Sequence, residues 1–460
     1  MENQVVTNCK GQPKIPGSTG TFLLRRILFY TLLAMVKLSV IFGLIVFAGC
    51  SPVEVVYAEK EVITSVLQLK SRTVTTTSPG FYNAVYVENS GVRLLSGNRI
   101  SEDNGRTWLG YAYVPDFQAG LPYGYRRNRI TSVCDPYTGR IITIINSLDT
   151  PGLDPGVNEP KLALKNYYLR YTVSNDAGKT WLFSDPMVQE GASNVQNPFE
   201  GIFIGKNSFY LGDLGCIPIV TKKGKILVPA HATLSGPGGE LLNPGGGYTY
   251  TDVIVLIGTW TDGNKISWKA SKRVEGDPKR STRGMIEPTL LELEDGRILM
   301  VMRGSNGGTL DPKNLLPSYK WVAISNDGGE TWSKPEPWAF EDGAPFFSPS
   351  SMSSLFKHSS GRCFWVGNMT KINCQSDLPR WPLVIAEINT DNLKLIRSGL
   401  ITVDTQREED LTKGRLDISH ITLIEDRETK EIILTYPRNT NTYKTTEWIT
   451  VRFLVNQLKK

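Results

Sequence analysis

An octet that recurs along the chain limits its folding choices more than any other feature. It reads SEDNGRTW at Ser101 to Trp108, SNDAGKTW at Ser174 to Trp181 and SNDGGETW at Ser325 to Trp332. Degenerate copies stand at Thr261 to Trp268 (TDGNKISW) and around Asn389-Thr390-Asp391. The pattern suits a turn staple: the Asp caps turn amides, the Gly takes a positive-φ position and the Trp packs outward onto a neighbour. Its role is structural, and its spacing suits one copy per repeating unit.

Upstream of the octets lie apolar hairpins with Gly or a charge in the turn. In order they are FYNAVYVENSGVRLLSG, RNRITSVCDPYTGRIITII, GCIPIVTKKGKILVPA, MIEPTLLELEDGRILMVMR, SSMSSLFKHSSGRCFWVGN and ISHITLIEDRETKEIILTY, the last followed by EWITVRFLV. Six units of one hairpin and a further strand or two predict an all-β chain, a six-bladed propeller with Asp-box turns. A ring of six sheets hides nearly every strand edge if both chain ends join in one blade. The propeller is expected over residues 78–458, after a leader at 1–50 and a linker at 51–77.

The 460 residues include 51 basic and 45 acidic ones, for a net charge of +6. Five of the basic groups (Lys10, Lys14, Arg25, Arg26, Lys37) and one acid, Glu2, fall in residues 1–50, leaving 46 basic and 44 acidic residues in the body. A near-neutral body gives no argument for nucleic acid as a partner. The basic leader precedes an apolar run, Leu38 to Ala48, too short to span a bilayer. The run ends in Phe47-Ala48-Gly49-Cys50-Ser51, which resembles a bacterial lipoprotein processing site with Cys50 as the lipidated residue. The alternative is an uncleaved anchor beginning near Ile27. Either predicts an exported protein of the cell envelope, lipid-anchored or free outside the cytoplasm, that meets the membrane only through an amino-terminal lipid or anchor. The body itself is expected to be a monomer.

Four cysteines remain in the body, Cys134, Cys216, Cys363 and Cys374. They allow three pairings, and Cys363 with Cys374, across an expected hairpin, is the first to test. With three histidines (His231, His358, His420) and no zinc-like spacing, neither a metal nor a cofactor is expected.

Two charges border the buried strands of the fourth hairpin, Glu287 where the first begins and Arg303 where the second ends. Glu287 could instead cap a strand or pair with Arg283, and Arg303 could be solvated. Here the Asp-box octets on a six-blade pattern resemble the sialidase (neuraminidase) superfamily, and the segment IEPTLLELEDGRILMVMR is similar to the one that joins that family's glutamate to a triad arginine. The resemblance implies an exo-glycosidase acting on terminal sialic acid, with Glu287 as the base. Arg303 and, from LPRWPLVIAEIN, Arg380 would bind the substrate carboxylate. Arginine suits that task because its planar fork bonds a carboxylate bidentately.

The chain departs from the family in two places. Blade one reads Phe81-Tyr82-Asn83 where the family has Arg-Ile-Pro, so Arg129-Ile130 is the nearest substitute. That alignment makes Arg129 the third arginine and Asp154 the acid, with Asp149 in reserve, in NSLDTPGLDPG. Blade six reads Asp417-Ile418-Ser419-His420 where the family's nucleophilic Tyr would stand. Tyr436, Tyr248 and Tyr250 are the remaining Tyr candidates. Long Gly/Pro-rich loops at 235–252 and 304–320 are expected to wall the pocket, with His231, Tyr248, Tyr250 and Tyr319 lining it. Two rival functions stay open: a uronate-directed hydrolase or lyase using His231 or a Tyr, and a non-catalytic glycan-binding propeller.

Overall fold

A strand that is apolar at every position has to be covered on both faces, and this requirement shapes the whole body. The computed structural model describes residues 55–57, 66–97, 99–110, 125–149, 163–212, 214–441 and 444–456. The chain divides into Met1–Pro52 and Val53–Lys460, and every described residue lies in the second unit. The leader, its Cys50 and Asp154 therefore fall outside the described residues.

Six antiparallel sheets follow one another along the chain. The first strands of the six are Ala84–Tyr86, Tyr125–Cys134, Ile219–Val220, Ile286–Glu292, Ser354–Lys357 and Thr422–Glu425. Each touches the first strand of the next blade, and the sixth touches the first, which closes a ring. They enclose an axial channel of about 700 Å³ to which all six contribute.

The apolar core is split into wedges between consecutive blades. Ile298–Arg303 shows why. Ile298, Met300 and Met302 point into the wedge shared with blade three, and Leu299 and Val301 into the wedge shared with blade five. Side chains alternate across a strand, so a sheet buried on both faces needs an unbroken apolar run. The same alternation puts Phe364 between blades five and six and Trp365 between blades four and five.

The octets form the expected staples. In each, the Ser Oγ accepts the Gly N–H (Gly105, Gly178 and Gly329, at 2.8, 2.9 and 2.8 Å), and the Asp accepts the Thr N–H (2.8, 2.8 and 2.9 Å). Trp108, Trp181 and Trp332 pack against wedges shared with the preceding blade. Ser325 lies opposite Ile298 in the ladder, at the end of the blade away from Arg303. The staples thus leave the Arg303 end of the sheet to the loops.

Two expectations need correction. Leu67–Thr75 falls within the segment expected as linker, yet it is a strand of blade six, paired with Lys444–Val455. It closes the ring, and Arg72 on it donates to Tyr436 Oη at 2.7 Å and ion-pairs with Asp404. Its mixed sequence, LQLKSRTVT, is half-exposed at most positions and lacks the apolar signature of the inner strands. Second, Cys363 and Cys374 do not pair with each other and are free thiols, as is Cys134. Cys363 starts a strand and is buried in the wedge between blades four and five, and Cys374 lies 3.1 Å from Thr370 Oγ1. Among the described residues no helix is long and apolar enough to cross a membrane.

Ring closure can be tested by truncation. Removing residues 1–65 is expected to leave a cooperative thermal transition near that of the full chain. Removing residues 1–77 should cost at least about 3 kcal/mol, from ladder hydrogen bonds worth about 1 kcal/mol each, in urea denaturation. Equal stabilities for the two truncations would contradict a closing role for Leu67–Thr75.

Candidate functional site

Glu287 stands at the second position of Ile286–Glu292, where the ladder with the next strand slips between Ile286 and Thr289. Pro288 can donate no hydrogen bond at this slip. Glu287 itself adopts a left-handed backbone, with φ of 46°, a conformation that costs a non-glycine residue of order 1–3 kcal/mol and persists where its surroundings impose it. His231, from the second strand of blade three, imposes it here by accepting the Glu287 N–H on Nε2. A Cβ on Gly212 would lie 2.3 Å from His231 Cε1 and 2.9 Å from Glu287 Cγ, so only glycine lets this segment approach the pair.

Arg303 ends the second strand of blade four, opposite Ile286 on one side and Lys320 on the other. Its Nη1 donates to Glu287 Oε1, and its Nε donates to Ser350 Oγ at 2.8 Å. Arg380 arrives from blade five. Its backbone pairs with Asp417, its Nη1 donates to Asp417 Oδ2 at 2.7 Å, and its Nη2 donates to Asp377 Oδ2 at 3.3 Å. Arg415 reaches the same Asp377 oxygen at 2.6 Å.

Glu287, Arg303 and Arg380 are 7%, 8% and 7% exposed. Burial pushes the Glu287 carboxyl up, but the charge and hydrogen bond of Arg303, helped by the charge of Arg380, outweigh it and hold Glu287 ionised. Burial pushes His231 down to about 3, so it is a neutral acceptor, with its proton on Nδ1. Burial raises Asp417 too, but hydrogen bonding from His420 and the Arg380 charge bring it far below the usual carboxylate range. Lys320 is brought down to about 7, by burial first and by the neighbouring Arg303 second. Among the described residues, Glu287 Oε2, Arg380 Nε and His231 Nδ1 have no hydrogen-bond partner. The arrangement holds a buried base beside two guanidinium groups, and it can receive an anionic or hydroxyl-rich group.

The structure thus unites Glu287, Arg303, Arg380 and His231. Glu287 pairs with Arg303, while Arg283 donates to Thr249 Oγ1 at 2.6 Å. Arg129 lies on Tyr125–Cys134 with its backbone opposite Ile145, and its side chain is outside the described set. Asp149 ends the second strand of blade two, where it accepts from Tyr168 Oη at 2.6 Å and ion-pairs with Arg127 at 3.2 Å. Of the tyrosines, Tyr436 is wholly buried and donates to Asp404 Oδ2 at 3.0 Å. Tyr250 is buried with its hydroxyl on the Gly276 carbonyl at 2.8 Å. Tyr319 stacks on Phe347, and Tyr248, 66% exposed beside Arg283, presents its ring to solvent. The sequence reading missed Lys320, Ser350, Asp377 and Arg415. Lys320 carries the same signal that found Glu287, a charge at the end of an apolar strand.

The family model described as a BNR repeat-like domain matches residues 157–410. No curated protein matches the chain in sequence. Among solved structures, a protein of unknown function from Dyadobacter fermentans DSM 18053 is 14% identical, with a TM-score of 0.53, over 85% of this chain and 99% of that one. An intramolecular trans-sialidase from Ruminococcus gnavus is 14% identical, with a TM-score of 0.49, over 89% and 95%. The NanB sialidase of Streptococcus pneumoniae is 14% identical, with a TM-score of 0.48, over 87% and 70%. At such identities the likeness concerns the fold alone.

Coupling within the site is measurable. Glu287→Gln and Arg303→Met should each cost about 3–5 kcal/mol, because each leaves a buried charge uncompensated. The double variant should lose at least about 1.5 kcal/mol less than the sum of the two. Additive losses in urea denaturation would show that the two side chains do not form a pair in solution.

Proposed function

Because the chain belongs to the BNR repeat-like domain family, whose model spans more than half of it, we propose that this sialidase-like propeller is an exo-glycosidase releasing a terminal acidic sugar of the sialic acid class from glycans. The observation that carries the reading is the meeting of Glu287, Arg303 and Arg380, from two blades, in one buried cluster. A sugar carboxylate bonds best to preorganised guanidinium forks. Glu287, held ionised, is suited to accept a proton rather than to donate one. The acid that protonates the leaving oxygen is then Asp154, with Asp149 in reserve, and Arg129 is the third arginine. Exposed Tyr248 offers a ring on which a sugar can stack.

One observation favours a second reading, a propeller that binds glycans without turnover. Asp417 occupies the place where the resembled family has its nucleophilic Tyr, and both of its oxygens are engaged: Oδ2 by Arg380, and Oδ1 by the Ser419 N–H at 3.0 Å and hydroxyl at 2.7 Å. Tyr436 and Tyr250 are committed elsewhere. A uronate-directed hydrolase or lyase would use the same arginines. We further propose an exported protein held at the envelope by a lipid on Cys50, which labelling with a fatty-acid analogue and its loss in Cys50→Ser would test.

A fluorogenic sialoside assay separates the readings. The exo-glycosidase reading expects release by the wild-type protein, a drop of at least about 100-fold in kcat for Glu287→Gln, and a raised KM for Arg303→Lys. An unchanged KM in Arg303→Lys would count against Arg303 as a carboxylate ligand. Binding of sialosides with no release would establish the glycan-binding reading, and unsaturated products from uronic glycans the lyase.

A further inference from the structure

The amine behind the two arginines has no part in the chemistry above. Lys320 opens the third strand of blade four, directly opposite Arg303, and is 0% exposed. A buried ammonium group needs close compensation, which carboxylates usually give. Here Nζ donates instead to two backbone carbonyls, of Pro349 at 3.3 Å and of Ser351. These carbonyls bracket Ser350, whose Oγ accepts Arg303 Nε at 2.8 Å. Ser351 Oγ donates to Asn368 Oδ1 at 2.9 Å, and Asn368 Nδ2 donates to the Arg380 carbonyl at 3.1 Å. Ser350, Ser351 and Asn368 are wholly buried. Water is therefore poorly placed to replace a lost member of the network.

We propose that Lys320 is a positioning residue that sets the two guanidinium groups relative to each other. By gripping Pro349 and Ser351 it holds Ser350 against Arg303 and, through Asn368, the backbone of Arg380. The segment it grips is a short turn from the neighbouring blade, so the amine also fixes the register of blade five against blade four at the mouth. A side chain without donors leaves the Ser351 carbonyl without its partner and the Pro349 carbonyl only donors from within its own turn, which frees the turn to shift against blade four. The value of this spacing to a ligand rests on the reading of Arg303 and Arg380 as carboxylate binders; the grip itself does not.

The test uses Lys320→Met, which keeps most of the length of the side chain and removes its donors, and Ser351→Ala, which cuts the arm to Asn368 and leaves the Lys320 grip in place. Two readouts are taken: hydrogen exchange of the Arg303 Nε–H by NMR, and affinity for N-acetylneuraminic acid. Lys320→Met should retain cooperative unfolding, speed Arg303 Nε–H exchange at least tenfold and weaken affinity at least tenfold. Ser351→Ala should weaken affinity and leave Arg303 exchange as in the wild type, which a loss of stability alone would not do. Should Lys320→Met fail to fold, Ser351→Ala carries the decision through affinity. Wild-type exchange and affinity in Lys320→Met, or wild-type affinity in Ser351→Ala, would overturn the proposal. If the wild-type protein binds no N-acetylneuraminic acid, the carboxylate reading falls, and Arg303 exchange in Lys320→Met decides the grip.

Discussion

The ion pair between Glu287 and Arg303 is the constraint to which the site answers. Removing two opposite charges from water is costly, and their attraction offsets that cost only where geometry is good and further hydrogen bonds complete the pair. Here the pair spans adjacent strands of one hairpin, at a point where the ladder slips and Glu287 turns left-handed. His231 from blade three takes the Glu287 N–H, and Ser350 from the approach to blade five takes the Arg303 Nε–H. Three consecutive blades are thereby tied together around one buried carboxylate.

The propeller makes this arrangement affordable in stability. Its core lies between blades, so each sheet is held on both faces whatever occurs at its ends. The stapled octets secure one end, where Ser325 and its counterparts close the turns. The opposite end is free to carry strain and buried charge, and Glu287, Arg303 and Arg380 gather there. Division of labour of this kind, rigid scaffold and functional loops, is how folds host sites.

Much of this could be read in the residues. Unbroken runs such as Ile298 to Met302 announced sheets covered on both faces, and the six apolar hairpins gave their number and order. Glu287 and Arg303 stood out because a charge at the border of an apolar strand requires a partner. Leu67–Thr75 escaped because an outer strand is half-exposed and its pattern is weak. Lys320, Asp377 and Arg415 escaped for a different reason. The carbonyls that Lys320 meets lie 29 and 31 residues away in the chain, and Arg415 lies 38 from Asp377, and which carbonyl or carboxylate a long side chain meets is decided by how blades pack. The cysteine pair failed likewise, since an apparent hairpin spacing says nothing about which wedge each thiol enters.

Asp417 marks where this chain parts from the family it resembles. It stands where the resemblance implies a Tyr, and its carboxylate is held by Arg380 and Ser419. The central claim is that Arg303 and Arg380 jointly receive an anionic sugar beside Glu287. A crystal structure with a bound unsaturated sialic acid analogue tests this most directly. The account predicts the ligand carboxylate within hydrogen-bonding distance of both guanidinium groups, with the sugar ring against Glu287. A ligand bound elsewhere, or one whose carboxylate touches neither arginine, would contradict it.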